Sequence, residues 1–323
     1  MAPKKRIAVV GATGSQGGGL LRAILADPDR EFTARALTRN QHAVKAQELL
    51  AAGAEVVEAD LDNEASVREA FDETYGAYVV TNYWAERTPE EEAVRTRADM
   101  ELQQAEVAAK AARNAGVTHV IWSTLEDTRA FFGEDDRVPT VDGRYKVPHF
   151  DAKAEADRIF FLYGVPTTFL RTTFFFEGFT GGLAPRRSAT GELELTVPMA
   201  DQPLSGIAVE DIGKTALGIF RRGAEFIGKT VSIAGDHLTG DEYAAAFTEA
   251  LGETVVYRPS SWDAYRAQDF PEAVEMGNMF QYYAENAKQF TDDRDVNLVR
   301  TLNPDLQSFR DWLALHKDRI PLG

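Results

Sequence analysis

Lys153 follows His149 by four residues, a spacing that puts both side chains on one face of a helix. Hydride-transfer enzymes of the parallel-sheet type use this spacing with a tyrosine in the first position. The lysine holds the nicotinamide ribose and eases loss of the phenol's proton, while a serine near the fifth strand orients the substrate oxygen. Ser123 and Lys153 stand at those stations, and His149 stands where the tyrosine belongs. Histidine can move a proton near neutral pH, but a neighbouring cation favours the neutral ring and leaves a weaker acid. The plainer reading is a histidine packed against the cofactor or a loop without a catalytic role, beside a surface lysine. Tyr145 is the nearest phenol, and Pro148 separates it from the helix.

The second group of residues is Gly11-Ala12-Thr13-Gly14-Ser15-Gln16-Gly17, spaced GxxGxxG. It lies between a predicted strand and a predicted helix, where a dinucleotide fingerprint belongs. Gly11 permits a tight turn, Gly14 lets backbone approach a pyrophosphate, and Gly17 lets the helix pack on the strand. The alternative is a glycine-rich turn without a ligand. At the end of the second strand the chain reads Leu37-Thr38-Arg39-Asn40, with no carboxylate for ribose hydroxyls. Arg39 offers a planar fork for a phosphate, which points to NADP rather than NAD. Asp60-Leu61 is placed to meet the adenine edge, and Thr81-Asn82-Tyr83 to face the pyrophosphate and ribose. Ordinary loop chemistry is the other reading of each.

One match is a decoy. The run from Gly223 to Gly228-Lys229-Thr230 satisfies the phosphate-loop pattern GxxxxGK[ST], but a strand follows it, so no helix N-terminus faces a phosphate.

These residues need a scaffold that brings loop ends together. The first half alternates short apolar runs (Arg6–Val10, Thr33–Leu37, Glu55–Glu58, Tyr78–Thr81, His119–Ser123) with helical patterns, and the alternation closes at Thr167–Arg171. That implies right-handed crossovers and an α/β doubly wound parallel sheet covered on both faces. Residues 1–172 are expected to form the NADP-binding Rossmann domain. Residues 173–323 are expected to form a smaller α+β domain, interleaved with the sheet edge, that serves substrate or partner. In it Thr230–Ile233 and Val255–Arg258 read as strands, and Thr239 to Glu242 as a capping box. The polar stretch Glu126–Phe150 reads as a long loop at the carboxyl end of the sheet, of the kind that acts as a flap.

The 323 residues carry 35 basic and 51 acidic side chains, a net charge of −16, and no cysteine. The charge argues against direct nucleic-acid binding. The missing thiols exclude disulfides, thiolate metal sites and cysteine nucleophiles, so any response to redox state must come from a bound molecule. No metal site is expected. The apolar run after Lys4-Lys5-Arg6 is too short for a secretory signal, and no stretch reaches membrane-spanning length, so no membrane role and a cytoplasmic location are expected.

Several segments together resemble the NmrA-like family of atypical short-chain dehydrogenases, nearly end to end. They are GATGSQGG, LTRN, AGAEVVEADLDN, VTNYW, HFDAK, RTTFFFEGF, TGDEYA, NMFQYYA and NPDLQSFRDWLALHKD. The resemblance implies NADP(H) on Gly11–Gly17, with the 2′-phosphate on Arg39. It implies nicotinamide-side contacts from Thr81–Tyr83, Lys153 and the run Phe175, Phe176, Glu177, Gly178. In that family the HxxxK departure recurs, and members include NADPH sensors that bind regulatory proteins as well as quinone or phenylpropanoid reductases. The family often has Gln-Gly-Lys where this chain has Gln104-Ala105-Glu106, so a cofactor-side cation is missing and Glu106 would repel phosphate if turned inward.

Two functions follow as expectations. The first is a cofactor-responsive regulator lacking the usual tyrosine, in which NADP(H) shifts a homodimer or a regulatory-protein partner. The second is an NADPH-dependent reductase of a small carbonyl, quinone or imine, with Lys153 anchoring the ribose and His149, Ser123 or water giving the proton. The apolar run Phe174–Phe176 would wall such a substrate, or be plain core.

Overall fold

The computed structural model describes residues 4–322. The chain opens with β1 (Lys5–Val9), α1 (Ser15–Ala26), β2 (Phe32–Thr38), α2 (Val44–Ala51), β3 (Glu55–Glu58), α3 (Glu64–Phe71) and β4 (Gly76–Val79). It continues through α4 (Pro89–Val94), α5 (Arg97–Ala115), β5 (His119–Thr124), α6 (Arg129–Phe132), α7 (Pro148–Leu162) and β6 (Thr167–Arg171). Then come β7 (Phe174–Phe175), β8 (Arg186–Arg187), β9 (Leu193–Leu195), β10 (Leu204–Ile207), α8 (Val209–Arg222) and β11 (Thr230–Ser232). The last elements are β12 (Asp236–Leu238), α9 (Gly240–Leu251), β13 (Val255–Tyr257), α10 (Trp262–Arg266), α11 (Ala273–Glu285), α12 (Ala287–Asp292), α13 (Val296–Leu302) and α14 (Phe309–His316).

Two compact units result, each discontinuous in sequence. The first takes residues up to Asp127, His149–Arg171 and Ile212–Val231. The second takes Thr128–Pro148, Thr172–Asp211 and residues from Ser232 onward.

The first unit is the expected doubly wound sheet. Its seven strands run β11-β6-β5-β4-β1-β2-β3. Strands β3, β2, β1, β4, β5 and β6 pair in parallel. Strand order reverses between β1 and β4, the switch point outside which such sheets bind ligands. One face is covered by α3, α5 and α7. Helix α5 is held by a Thr96–Asp99 capping box and ends on Gly116, whose φ of 66° suits glycine. Its inner stripe of Ala105, Ala108, Ala109 and Ala112 lets the helix sit close over Val79, Val120 and Trp122. Trp122 stacks on Phe160 of α7 at 5.0 Å between ring centroids.

Two sequence expectations shift here. The fourth strand ends at Val79 rather than Thr81, because its partner β1 ends at Val9 and only Val10 adds a further bond, to the Tyr78 carbonyl at 2.9 Å. The stretch Glu126–Phe150 is not one irregular loop, since it contains α6 and gives its last residues to α7, with Pro148 as first helical residue.

The second unit holds two three-stranded sheets, β12-β10-β7 and β13-β9-β8, with α9 against β12 and β13 and α12 against β10. Its core is aromatic: Phe176, Phe179, Tyr243, Phe247, Phe309 and Trp312 lie buried. The segment before α7 is tied down inside this unit. Asn278 Nδ2 on α11 donates to the carbonyls of Pro139 at 2.9 Å and Lys146 at 2.6 Å, and Lys146 Nζ donates to the Val138 carbonyl at 2.8 Å. Among the described residues no helix is long and apolar enough to cross a membrane.

Candidate active site at the sheet switch point

The turn after β1 is built for close approach. Gly11 has a φ of 67°, the left-handed region that glycine adopts freely. A Cβ on Gly17 would lie 2.5 Å from both the Val10 and Gly11 carbonyl oxygens, so only glycine lets α1 start there. Gly14 caps α1 without a side-chain hydrogen bond, and the helix's first turn carries no acidic residue. Thr13 is half-buried, while Gly14 and Ser15 are exposed. The amide end of α1 is therefore open to an anion, which is the fit a pyrophosphate requires.

Gln16, in that first turn, draws the ends of β4 and β5 together. Its Oε1 accepts from Tyr78 OH and from Ser123 Oγ, both at 2.7 Å. Two hydroxyl donors on one oxygen fix the amide's orientation and leave its NH2 free to donate elsewhere. Burial pushes the Tyr78 phenol well above its usual range, with Ser123 opposing. Ser123 spends its only proton on Gln16, so its oxygen is left as an acceptor. The link from Gln16 to Tyr78 was not foreseen from sequence.

Lys153 lies on α7 with its side chain almost wholly buried. Its Nζ donates to Thr81 Oγ1 at 2.7 Å and to the Thr81 carbonyl at 3.2 Å. It also pairs with Glu101 Oε2 of α5 at 2.8 Å and lies 5.4 Å from the centre of the Trp122 ring. Glu101 escaped the sequence reading, although a signal existed. It falls on the same helical stripe as Ala98, Ala105 and Ala108, a carboxylate on the buried face of α5.

His149 sits one turn before Lys153, buried in an aromatic group. Its ring lies 5.9 Å from Tyr83, 5.0 Å from Trp84 and 4.9 Å from Phe150. Tyr83 is buried and Asn82 exposed. Tyr145 belongs to the second unit, where Arg144 lies over its ring at 4.5 Å.

Arg39 is exposed at the end of β2, with no hydrogen bond or ion pair among the described residues. Asp60 Oδ1 accepts from the Asp62 amide at 2.9 Å, bracing its own turn, and Leu61 packs on the core. Glu106 is turned to Tyr163, whose hydroxyl donates at 2.7 Å and holds the carboxyl below its usual range, with Lys110 at 3.4 Å.

The remaining candidates lie in the second unit. Phe176 is core, 5.2 Å from Phe309, while Phe175 is half-buried. Glu177 accepts the Val209 amide at the start of α8 at 3.1 Å and Trp312 Nε1 at 3.1 Å. A Cβ on Gly178 would meet the Phe174 ring at 3.0 Å. Among the described residues no cluster of histidine and carboxylate side chains could hold a metal. The decoy glycine run leads into β11, not a helix.

A seven-stranded doubly wound sheet with an uncapped glycine turn at its switch point defines a dinucleotide-binding type of fold. This chain belongs to the NmrA-like family, whose model matches residues 3–313. It is 30% identical over 302 residues to the NmrA-like family domain-containing oxidoreductase cpsB of Aspergillus campestris, covering 90% of this chain and 86% of that one. Among solved structures it resembles NmrA, a negative transcriptional regulator, in complex with NADP, with a TM-score of 0.74 and 22% identity over 96% of this chain and 94% of that one. It also resembles the Citrobacter sp. triphenylmethane reductase complexed with NADP(H), with a TM-score of 0.69 and 20% identity over 96% and 98%.

Proposed function

We propose that this protein binds NADP(H) and acts as a reductase of a small carbonyl, quinone or imine. The observation that carries the reading is the buried Lys153 ammonium, held by Thr81 and Glu101 at the carboxyl end of β4. A buried ion pair adds little net stability compared with well-packed apolar residues, so its presence at the carboxyl end of the sheet argues for a task. The open N-terminus of α1 suits the pyrophosphate, and Arg39, exposed and unpaired among the described residues, suits the 2′-phosphate. The relative from Aspergillus campestris is named an oxidoreductase, and the triphenylmethane reductase was solved with NADP(H), both in line with this reading.

Bound at this site, the nicotinamide would supply hydride. Lys153 holds protons at Nζ and orients whatever hydroxyl it meets. Ser123 Oγ, its proton engaged by Gln16, offers a lone pair for a substrate N–H or O–H. Reduction of a C=O or C=N bond also needs a proton at the heteroatom, which comes from Lys153 Nζ or from water.

The histidine in the tyrosine position favours the second reading, a cofactor-responsive regulator that changes a homodimer or a protein partner. His149 is packed among Tyr83, Trp84 and Phe150. The deciding experiment follows NADPH absorbance against a panel of quinones, aldehydes and imines, with Lys153→Ala alongside and its fold checked by circular dichroism. Turnover that disappears in the folded variant supports the reductase. A flat trace with every acceptor, beside measurable NADPH binding, overturns it, and sedimentation with NADP+ against NADPH then tests the regulator.

A further inference from the structure

Glu101 is wholly buried on α5. Its Oε2 lies 2.8 Å from Lys153 Nζ, and its Oε1 has no hydrogen-bond partner among the described residues. The contact closes as an ion pair rather than as an aligned hydrogen bond, while two of the three N–H groups of Lys153 go to Thr81. An ammonium gripped in this way has its direction set from two sides. Thr81 fixes it against the loop after β4, and the Glu101 charge draws it toward α5 and over the Trp122 ring. A carboxylate this deep, with one oxygen unfilled, is costly to keep, and nothing in the alanine-lined packing of α5 needs it.

We propose that Glu101 is a positioning residue for the dinucleotide. It sets the place from which Lys153 presents its remaining N–H, and it acts through Lys153 alone. The inference rests on the NADP(H)-binding part of the function proposed above. It does not require hydride transfer, so it holds for reductase and regulator alike.

The test is a double-mutant cycle read by NADPH fluorescence titration and by thermal unfolding. Glu101→Gln keeps the shape and removes the charge, and Glu101→Asp keeps the charge but withdraws it by one methylene. Each is expected to weaken NADPH binding about tenfold, the loss of one charge-assisted hydrogen bond. Lys153→Met should weaken it by the same factor, and adding Glu101→Gln to Lys153→Met should weaken it no further. The unfolding temperature should be lowest in Lys153→Met, which strands a buried carboxylate, and should recover in the double variant. If Glu101→Gln does not fold, Glu101→Asp and the double variant carry the same comparison.

Wild-type affinity in Glu101→Gln and Glu101→Asp would overturn the proposal, even with a changed unfolding temperature. So would a further tenfold loss when Glu101→Gln is added to Lys153→Met, since Glu101 would then act elsewhere. A wild-type protein that binds no NADPH would overturn the cofactor reading and this inference with it. That outcome is distinct, because it appears before any variant is made.

Discussion

Asp157 on α7 accepts two hydrogen bonds from β5 on a single oxygen, from Trp122 Nε1 at 2.9 Å and from Thr124 Oγ1 at 2.6 Å. The same Trp122 ring lies beneath Lys153, so Asp157 braces the surface on which the ammonium rests. Burial pushes the Asp157 carboxyl up to about 7, against the two hydrogen bonds and Arg171.

That shift has a sign. The folded value lies above the unfolded one of 3.8, so the folded state holds the proton more tightly. Its contribution to stability is complete below about pH 4 and is lost as pH rises to about 7. Asp157→Asn keeps the accepting oxygen without the charge. It should be more stable than wild type at pH 8, by on the order of 2 kcal/mol, with the gap closing toward pH 4. Denaturant unfolding at pH 4, 6 and 8 measures it, and a gap that does not change with pH would refute the assignment.

His119 shows the opposite sign. Its Nε2 lies 2.8 Å from Thr168 Oγ1, whose own proton goes to the Phe226 carbonyl at 2.8 Å, so Nε2 carries a hydrogen. Burial lowers the ring to about 4 from 6.5, so its contribution is present above pH 6.5 and is lost as pH falls to about 4. Glutamine can donate to Thr168 without titrating. His119→Gln should therefore lose less stability between pH 6.5 and 4 than wild type, by on the order of 2 kcal/mol. Equal acid losses in the two proteins would count against a buried neutral ring.

Gly213 sets the distance between α8 and α1. A Cβ there would lie 2.1 Å from the Leu20 amide nitrogen and 2.2 Å from the Gly19 carbonyl carbon. Both are helix backbone that cannot turn aside. Gly213→Ala should cost about 3 kcal/mol or more by forcing the helices apart. Calorimetry showing an unchanged or raised unfolding temperature would mean that the contact relaxes cheaply.

Six strands of the sheet were legible because each is a short β-favouring run bounded by a helix of clear period, and because Gly11, Gly14 and Gly17 punctuate the first turn. The seventh, β11, was expected in the C-terminal domain but lies in this sheet beside β6, a three-residue strand too short to show its partner. The end of β4 was not legible either. Val80-Thr81 continues a β-favouring run, but pairing with β1 stops the strand and turns Thr81 over to Lys153. Lys153 and Ser123 were readable as residue types at familiar stations. Glu101 and the Gln16–Tyr78 link were not, since each needs a partner from a different strand or helix. The short strands of the second unit carry too few residues for a period, and Asn278 meets Lys146 132 positions away.

Arg39 is the residue on which cofactor choice turns. It is exposed at the end of β2, unpaired among the described residues, and its sequence neighbours Thr38 and Asn40 carry no carboxylate for ribose hydroxyls. Its guanidinium can fork onto a 2′-phosphate, a charge-assisted contact worth about 1.5–3 kcal/mol. Arg39→Ala should therefore weaken NADPH binding at least about tenfold while leaving NADH affinity within about twofold. Because the side chain is solvated, the wild-type preference for NADPH should shrink as salt is raised, and that of Arg39→Ala should not. Titration of both cofactors at two salt concentrations measures all four affinities. Parallel losses of NADPH and NADH binding would show that Arg39 holds a group common to both, and the preference for NADP(H) would then need another source.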